Sequence, residues 1–425
     1  MIEKQPSCDD AVEPALLPIS EARRRLFAAL PQSDQHELLP VRQVLHRVLA
    51  KDVIARVDVP AQTNSAMDGF AVHRSSIPTA GERSLELAGT AWAGQPFEGV
   101  VGEGQAVRIF TGAILPDGTD TVVIQEHAQA DKRSVLINAD VVAGKNVRLA
   151  GEDIRAGEVI LNAGHYMEAA DIGLLASLGV RDIDVVQRLK VAFFTTGDEL
   201  VSLDDTEVTY PLPPGMLFDS NRHTLAALLQ HPGVEAIDLG IVRDNEEHTR
   251  KTLIHASQTA DLIVSSGGVS AGEADFVTRV FHDVGQVSFW KLAMRPGRPL
   301  AFGFVGKSVF FGLPGNPVAV MVTFLEFVKP AIRYMSGMAA GEPLTLAAVC
   351  QSSLRKSQGR VEYQRGVMQI DEKGQLVVTS TGKQGAGRLS SMSKANCLIV
   401  IDEERENVKP GEEVKVQPFH GLLEG

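Results

Sequence analysis

Residues 261–276 read DLIVSSGGVSAGEADF, an apolar run that empties into paired glycines, hydroxyls and carboxylates. The short, branched segment 261–265 predicts a buried strand, and 274–284 has helical spacing, with Phe276, Val277, Val280 and Phe281 on one face. The unit is strand, loop, helix. Gly267 and Gly268 allow a tight turn and a close backbone approach, while Ser265, Ser266 and Ser270 set hydroxyls beside a helix N-terminus. Such a loop reads either as a cradle for an anion or as a plain turn. Glu273 and Asp275 add carboxylates beside it, which points to a metal between them.

The alternation continues on both sides. Before this unit, KVAFFT (190–195) predicts a strand, TGDEL a loop, 221–229 a helix, 235–242 a strand and 246–257 a helix. After it, 287–294, 299–305 and 308–312 are extended runs, and 317–335 is a long apolar helix. Strands alternating with helices predict a mostly parallel sheet covered on both faces, a three-layer α/β/α domain. Ligands of such sheets bind outside the carboxyl ends of the strands, where 196–199, 243–245 and the serine-glycine loop would meet.

Outside this domain the pattern changes. A tail to about residue 17 precedes two amphipathic helices at 20–30 and 41–49, and 52–148 consists of short β-rich runs divided by turn residues. Residues 151–164 read as a turn followed by a hairpin, and 168–178 as a helix stopped at Gly179. Beyond a linker at 336–343, the runs LTLAAVC, VEYQRGVMQ, QLVVTST, CLIVID and EEVKVQPF predict a small barrel or sandwich.

Composition bounds what the chain can do. It has 425 residues, too many for one typical core, and its 44% hydrophobic and 22% charged residues are those of a folded protein. No apolar run approaches membrane-spanning length; the best, 318–328, contains Thr323 and Glu326. The acidic start lacks the apolar core of a signal peptide, so the cytoplasm is expected. A net charge of −12 opposes nucleic acid and anionic membranes over most of the surface, so an anionic ligand needs a local basic pocket. Cys8, Cys350 and Cys397 form no CxxC pair, which argues against a disulfide framework or structural zinc. The eleven histidines show no HExxH spacing, and His223 reads as a surface or capping residue.

Four further motifs bear on chemistry. TTGDEL (195–200) ends a strand with hydroxyls, a glycine and two carboxylates, suited to a metal, a polyol or simply a turn. WKLAMRPGRP (290–299) concentrates Lys291, Arg295 and Arg298 in an acidic chain; arginines bind planar or tetrahedral oxyanions through paired donors. GLPGNP (312–317) is a stiff turn whose helix start presents backbone amides. In SAMDGFAV (65–72), Asp68 reads from spacing alone as a turn residue.

Together SAMDGFAV, RIFTGAILP, GEDIRAGE, TTGDEL, SSGGVSAGEAD, KLAMRPGRP, GLPGNP and QGAGRLSSMS resemble, in order, the molybdopterin molybdenumtransferases, the MoeA family related to the gephyrin E domain. The likeness runs over about 19–419. It implies four domains: an elongated mixed α+β domain (18–50 and 151–186), an inserted β domain (51–150), the α/β molybdopterin-binding domain (187–337) and a C-terminal β-barrel-like domain (343–425). It also implies a homodimer, with hand-over of substrate from a molybdopterin adenylyltransferase. The implied reaction inserts molybdate into adenylylated molybdopterin with Mg2+, releasing AMP and forming the molybdenum cofactor. By similarity the catalytic positions are Asp68, Thr111, Asp153, Glu199, Asp244, Asp275, Lys291 and Arg295, with Glu199, Asp244 and Asp275 as metal ligands. Substrate binding falls to Ser265, Gly267, Gly268, Ser270, Arg298, Pro314, Gly315, Asn316, Pro317 and Arg365. The sequence departs from relatives in having arginines at 295 and 298 where lysine is frequent, and Ala386 and Gly387 where some place a serine. The competing class is a scaffold that binds molybdopterin without turnover, which need not retain the carboxylates together.

Overall fold

The protein is described from a computed structural model covering residues 16–205, 208, 210–268, 280–281 and 283–419. Its central sheet contains β1 (Leu189–Thr196), β2 (Val234–Val242), β3 (Leu262–Ser266), β4 (Gly285–Lys291), β5 (Pro299–Val305) and β6 (Ser308–Leu313). Across the sheet they run β2-β1-β3-β6-β5-β4; β2, β1, β3 and β6 pair in parallel, β5 pairs antiparallel with both β6 and β4, and β4 therefore runs in the direction of the parallel strands. Burial on both faces explains the unbroken apolar runs. Val191 and Phe193 of β1 enter a core shared with Leu225 and Phe327, and Ala192 and Phe194 enter the opposite core with Leu253 and Ala256.

Two of the covering helices begin at polar caps. The Asp219 carboxylate accepts from the Arg222 amide at 3.1 Å and starts α1 (Ser220–Leu228). Asn245 accepts from the amides of Glu247 and His248 and starts α2 (Glu246–Thr259). Of the helix expected at 274–284, residues 280–281 and 283–284 are helical, and the remainder lies outside the described residues.

The single helix expected over 317–335 is broken into α3 (Pro317–Thr323), a π turn (Phe324–Val328) and α4 (Lys329–Met335). Pro330 cannot donate to the Glu326 carbonyl four residues back. The Arg23 guanidinium donates to that carbonyl instead, at 3.3 Å. The Glu326 side chain, 1% exposed, also receives Arg23 and the Tyr363 hydroxyl at 2.8 Å, so one carboxylate joins the first helix (Ile19–Ala29), the α/β layer and the C-terminal domain.

The inserted β domain is a six-stranded sheet in the order Thr121–Ile124, Gly69–Val72, Gln105–Ile109, Glu82–Ala91, Ser134–Asn138, Ala128–Ala130, with a hydrophobic cluster on each side. At the C-terminus the strands Val361–Ile370, Leu376–Ser380, Leu346–Cys350, Glu413–Pro418 and Cys397–Ile401 follow one another, and the last pairs back onto the first. This closes a five-stranded barrel. Cys350 and Cys397 are buried in it as free thiols, and burial pushes Cys397 up to about 12; Cys8 lies outside the described residues.

Two local expectations are corrected. Residues 41–49 contain only the short turn Val41–Gln43, because their backbone is used in pairing: His46, at a φ of +61°, donates to Met167 and Leu49 donates to His165. Within 151–164 there is no self-paired hairpin, since Val159–Leu161 pairs with the distant Val53–Ile54. Among the described residues no helix is long and apolar enough to cross a membrane.

Candidate functional site

The parallel strands of the central sheet all deliver their carboxyl ends to one edge, and the loops there lock together. The Asp198 carboxylate accepts from the Asp244 amide at 3.2 Å, and Arg243 donates to the Asp198 carbonyl at 3.1 Å, tying the loop after β1 to that after β2. The Gly267 amide donates to the Leu313 carbonyl at 3.1 Å, and the Ser266 hydroxyl to the Pro314 carbonyl at 3.2 Å, tying the loop after β3 to that after β6. Gly267 has a φ of +95°, and a Cβ there would stand 2.6 Å from the Thr196 carbonyl, so only glycine lets these loops approach.

Asn221, in the first turn of α1, joins this set. Its amide donates to the Ser266 hydroxyl at 3.0 Å and to the Gly315 carbonyl at 2.7 Å. The preceding Asp219, 1% exposed, also receives the Thr195 hydroxyl. Sequence reasoning missed both residues; the available signal was a helix cap following a Pro- and Gly-rich loop. Among the described residues, Asn221 Oδ1 and Thr196 Oγ1 are buried without a hydrogen-bond partner, which marks a polar spot under the loops.

The basic motif forms one wall. Lys291 ends β4, and the chain folds back so that the Leu292 amide donates to the Arg298 carbonyl at 2.7 Å. At Gly297, φ +98°, a Cβ would stand 2.5 Å from Thr323 Oγ1 of α3. Arg295 and Arg298 are exposed and Lys291 is half-buried. Met294–Arg295 pairs with the barrel strand Val361–Ile370, which brings the C-terminal domain to the same edge.

From that domain, the loop carrying QGAG reaches the start of α3. The Val318 amide donates to the Ala386 carbonyl at 3.0 Å, and a Cβ at Gly387 would stand 4.0 Å from Asn316 Oδ1. Arg365, 1% exposed, holds this loop by donating to Ser391 Oγ at 3.0 Å and to the Gly385 carbonyl at 3.3 Å. Burial, assisted by the nearby Arg295 charge, lowers its guanidinium to about 10. Arg365 thus stands inside the loop's framework, with Pro314, Gly315, Asn316 and Pro317 across from it.

Ser265 lies 3% exposed within β3, while Gly267 and Gly268 are half-buried at the loop. Glu199 and Asp244 are exposed carboxylates on adjoining loops, a set of hard oxygen donors. Ser270, Glu273 and Asp275 lie outside the described residues.

Asp68 and Thr111 form a separate pair in the β domain. One Asp68 oxygen accepts from both the Thr111 amide, at 2.8 Å, and its hydroxyl, at 2.7 Å. The Thr111 amide, then its hydroxyl, with Arg108 adding a favourable charge, holds the Asp68 carboxyl below the usual range. Asp153 sits on the exposed turn after Gly151, where its amide donates to the Val59 carbonyl at 3.0 Å. Among the described residues no hydrogen bond joins Asp68, Thr111 or Asp153 to the α/β loops.

Comparison with known proteins covers nearly the whole chain. Residues 17–179 match the family model "MoeA N-terminal region (domain I and II)", 192–334 "Probable molybdopterin binding domain" and 347–419 "MoeA C-terminal region (domain IV)". The chain is 41% identical to a molybdopterin molybdenumtransferase of Haemophilus influenzae, over 96% of this chain and all of that protein. It is 31% identical to gephyrin of Dictyostelium discoideum over 94% of this chain and 62% of that one. The crystal structure of a molybdopterin biosynthesis moeA protein from Pyrococcus horikoshii superposes with a TM-score of 0.82 at 27% identity, covering 95% of this chain and all of that one.

Proposed function

The chain belongs to the MoeA family of molybdopterin molybdenumtransferases, and from that premise we propose how its own residues insert molybdate into molybdopterin. The observation that carries the reading is the convergence of the sheet-edge loops with the basic motif. The substrate is adenylylated molybdopterin, received from a molybdopterin adenylyltransferase, and AMP leaves as molybdate enters. These partners bring several negative charges together, so the site has to supply cations and fixed donors where charge accumulates.

Lys291, Arg295 and Arg298 supply the cations. The loop of Gly267 and Gly268, with Ser270, holds the phosphate of the pterin, and the Pro314–Pro317 turn shapes the site beside the start of α3. Arg365 acts from the barrel side by fixing the 384–388 loop against that turn. Glu199 and Asp244, with Asp275, have the chemistry to hold Mg2+, which when bound offsets charge on phosphate and molybdate oxygens.

Asp68, Thr111 and Asp153 belong to the same reaction through a homodimer. Being joined by no hydrogen bond to the α/β loops of their own chain among the described residues, they suit a site completed by the two-fold partner.

The test is direct. Purified protein given adenylylated molybdopterin, molybdate and Mg2+ should release AMP and yield a cofactor that activates an apo-molybdoenzyme. Tight molybdopterin binding without magnesium-dependent AMP release would make the chain a scaffold instead.

A further inference from the structure

The β domain carries an aromatic ladder to which the reaction above assigns no role. Phe70, 2% exposed, is its base. The Arg108 guanidinium lies over the Phe70 ring at 4.8 Å and over the Phe110 ring at 5.2 Å. Phe110 stacks on Trp92 with centroids 4.1 Å apart and planes within 9°. With an indole that close on one face of Phe110, the guanidinium has to occupy the other. The ladder ends at Trp92, which is 51% exposed and, among the described residues, stacks on no other ring.

This end of the domain is also where Asp68 and Thr111 sit. Phe110 is bonded directly to Thr111, and Arg108 is near enough to Asp68 to stabilise its carboxylate. At the Phe70–Arg108 end of the ladder opens a cavity of about 370 Å³ lined also by Thr90, Asp131 and Lys132. Among the described residues, Arg108 has no carboxylate at ion-pair distance; its one side-chain hydrogen bond runs to Gln125 at 2.6 Å. A half-exposed indole pinned flat on a second ring, at the end of the domain that carries the Asp68–Thr111 pair, is a platform for a planar ring.

We propose that Trp92 is the stacking platform for a flat heteroaromatic ring of the substrate. This rests on the substrate being adenylylated molybdopterin, which offers two such rings, adenine and pterin. Phe110 holds the indole in plane and Phe70 holds Arg108, so the flat surface is formed before the ligand arrives and little ordering is left to binding.

The chain has two tryptophans, and the other, Trp290, is 1% exposed in the central core. Trp92 fluorescence is therefore a local reporter, obtained as the difference between wild-type protein and Trp92→Phe. AMP and, anaerobically, molybdopterin are titrated separately into the full-length protein and into Trp92→Phe and Trp92→Ala. Saturable quenching of the Trp92 signal is expected with one of the two, and that ligand identifies the ring. By calorimetry Trp92→Ala should bind it about tenfold more weakly, and Trp92→Phe, which keeps a flat face, within about threefold of wild type.

Absence of quenching by both ligands, or wild-type affinity in Trp92→Ala, overturns the proposal. So does a Trp92→Ala protein that runs as a monomer on gel filtration while its affinity is unchanged, since Trp92 would then be a subunit contact. Quenching that persists in a protein unable to release AMP would refute the reaction and leave the platform standing.

Discussion

Replacing Asn221 tests whether the loops of the α/β edge are held in register by one side chain. Its amide makes two neutral hydrogen bonds, to Ser266 Oγ at 3.0 Å and to the Gly315 carbonyl at 2.7 Å, and Ser266 passes the link on to Pro314 at 3.2 Å. At about 1 kcal/mol net for each bond, Asn221→Ala loses about 2 kcal/mol of loop positioning. If that energy is expressed in the transition state, kcat/KM falls about 30-fold. Asn221→Asp keeps the shape but cannot donate, and it sets a carboxylate oxygen against the Gly315 carbonyl, so a loss on the order of a hundredfold is expected. The assay is magnesium-dependent AMP release with kcat and KM separated, alongside far-UV circular dichroism. Loop misplacement lowers kcat because it disturbs the alignment of reacting groups, while the fold spectrum stays as in the wild type. An Asn221→Asp protein turning over at the wild-type kcat would refute the reasoning.

Three further outcomes are expected. Mixing an Asp68→Ala chain with an Asp275→Ala chain should restore about a quarter of wild-type activity after proven subunit exchange, because half the dimers are mixed and each owns one intact site; no recovery would return both residues to a site within one chain. Arg295→Ala should weaken molybdate and AMP binding in calorimetry far more than Arg250→Ala, because Arg250 is engaged on α2 with Glu246 at 3.0 Å and Asp283 at 2.8 Å; equal small effects would remove the basic motif from the site. Burial raises the Glu326 carboxyl above its ordinary value against the opposing pull of Arg23. The stability from its protonated form is thus full below the unfolded pKa, about 4.3, and is lost as pH rises through the higher folded value. Denaturation of Glu326→Gln from pH 4 upward should lack this decline, and parallel curves for the two proteins would sink the assignment.

The alternation of elements was legible because it is written locally. KVAFFT and DLIVS are apolar without interruption, as two-sided burial requires, and each ends at a glycine or polar residue where the chain must turn. The likeness to a known family rested equally on contiguous motifs, and it implied a single site for Lys291, Arg295 and the GLPGNP turn. The same local reading failed at 41–49, whose helical spacing is genuine. There the backbone donors of His46 and Leu49 find acceptors more than a hundred residues away, and spacing carries no record of a distant strand. The single helix expected over 317–335 passed over Pro330, and nothing in the sequence shows that Arg23 takes over the Glu326 carbonyl.

The site divides the same way. Charge type and glycine content follow from the residues themselves, so the expectation of an anion-binding edge comes from order alone. Which loops touch is a property of three dimensions. Asn221 looked like any polar residue near a helix start until Ser266 and Gly315 were found on either side of its amide. Arg365 sits in the barrel, yet reaches the α/β edge because the barrel's closing strands deliver residues 384–388 onto α3. The Phe70–Arg108–Phe110–Trp92 ladder draws its members from three strands and their ends, and adjacency across strands is decided by register, which sequence spacing along one strand does not contain.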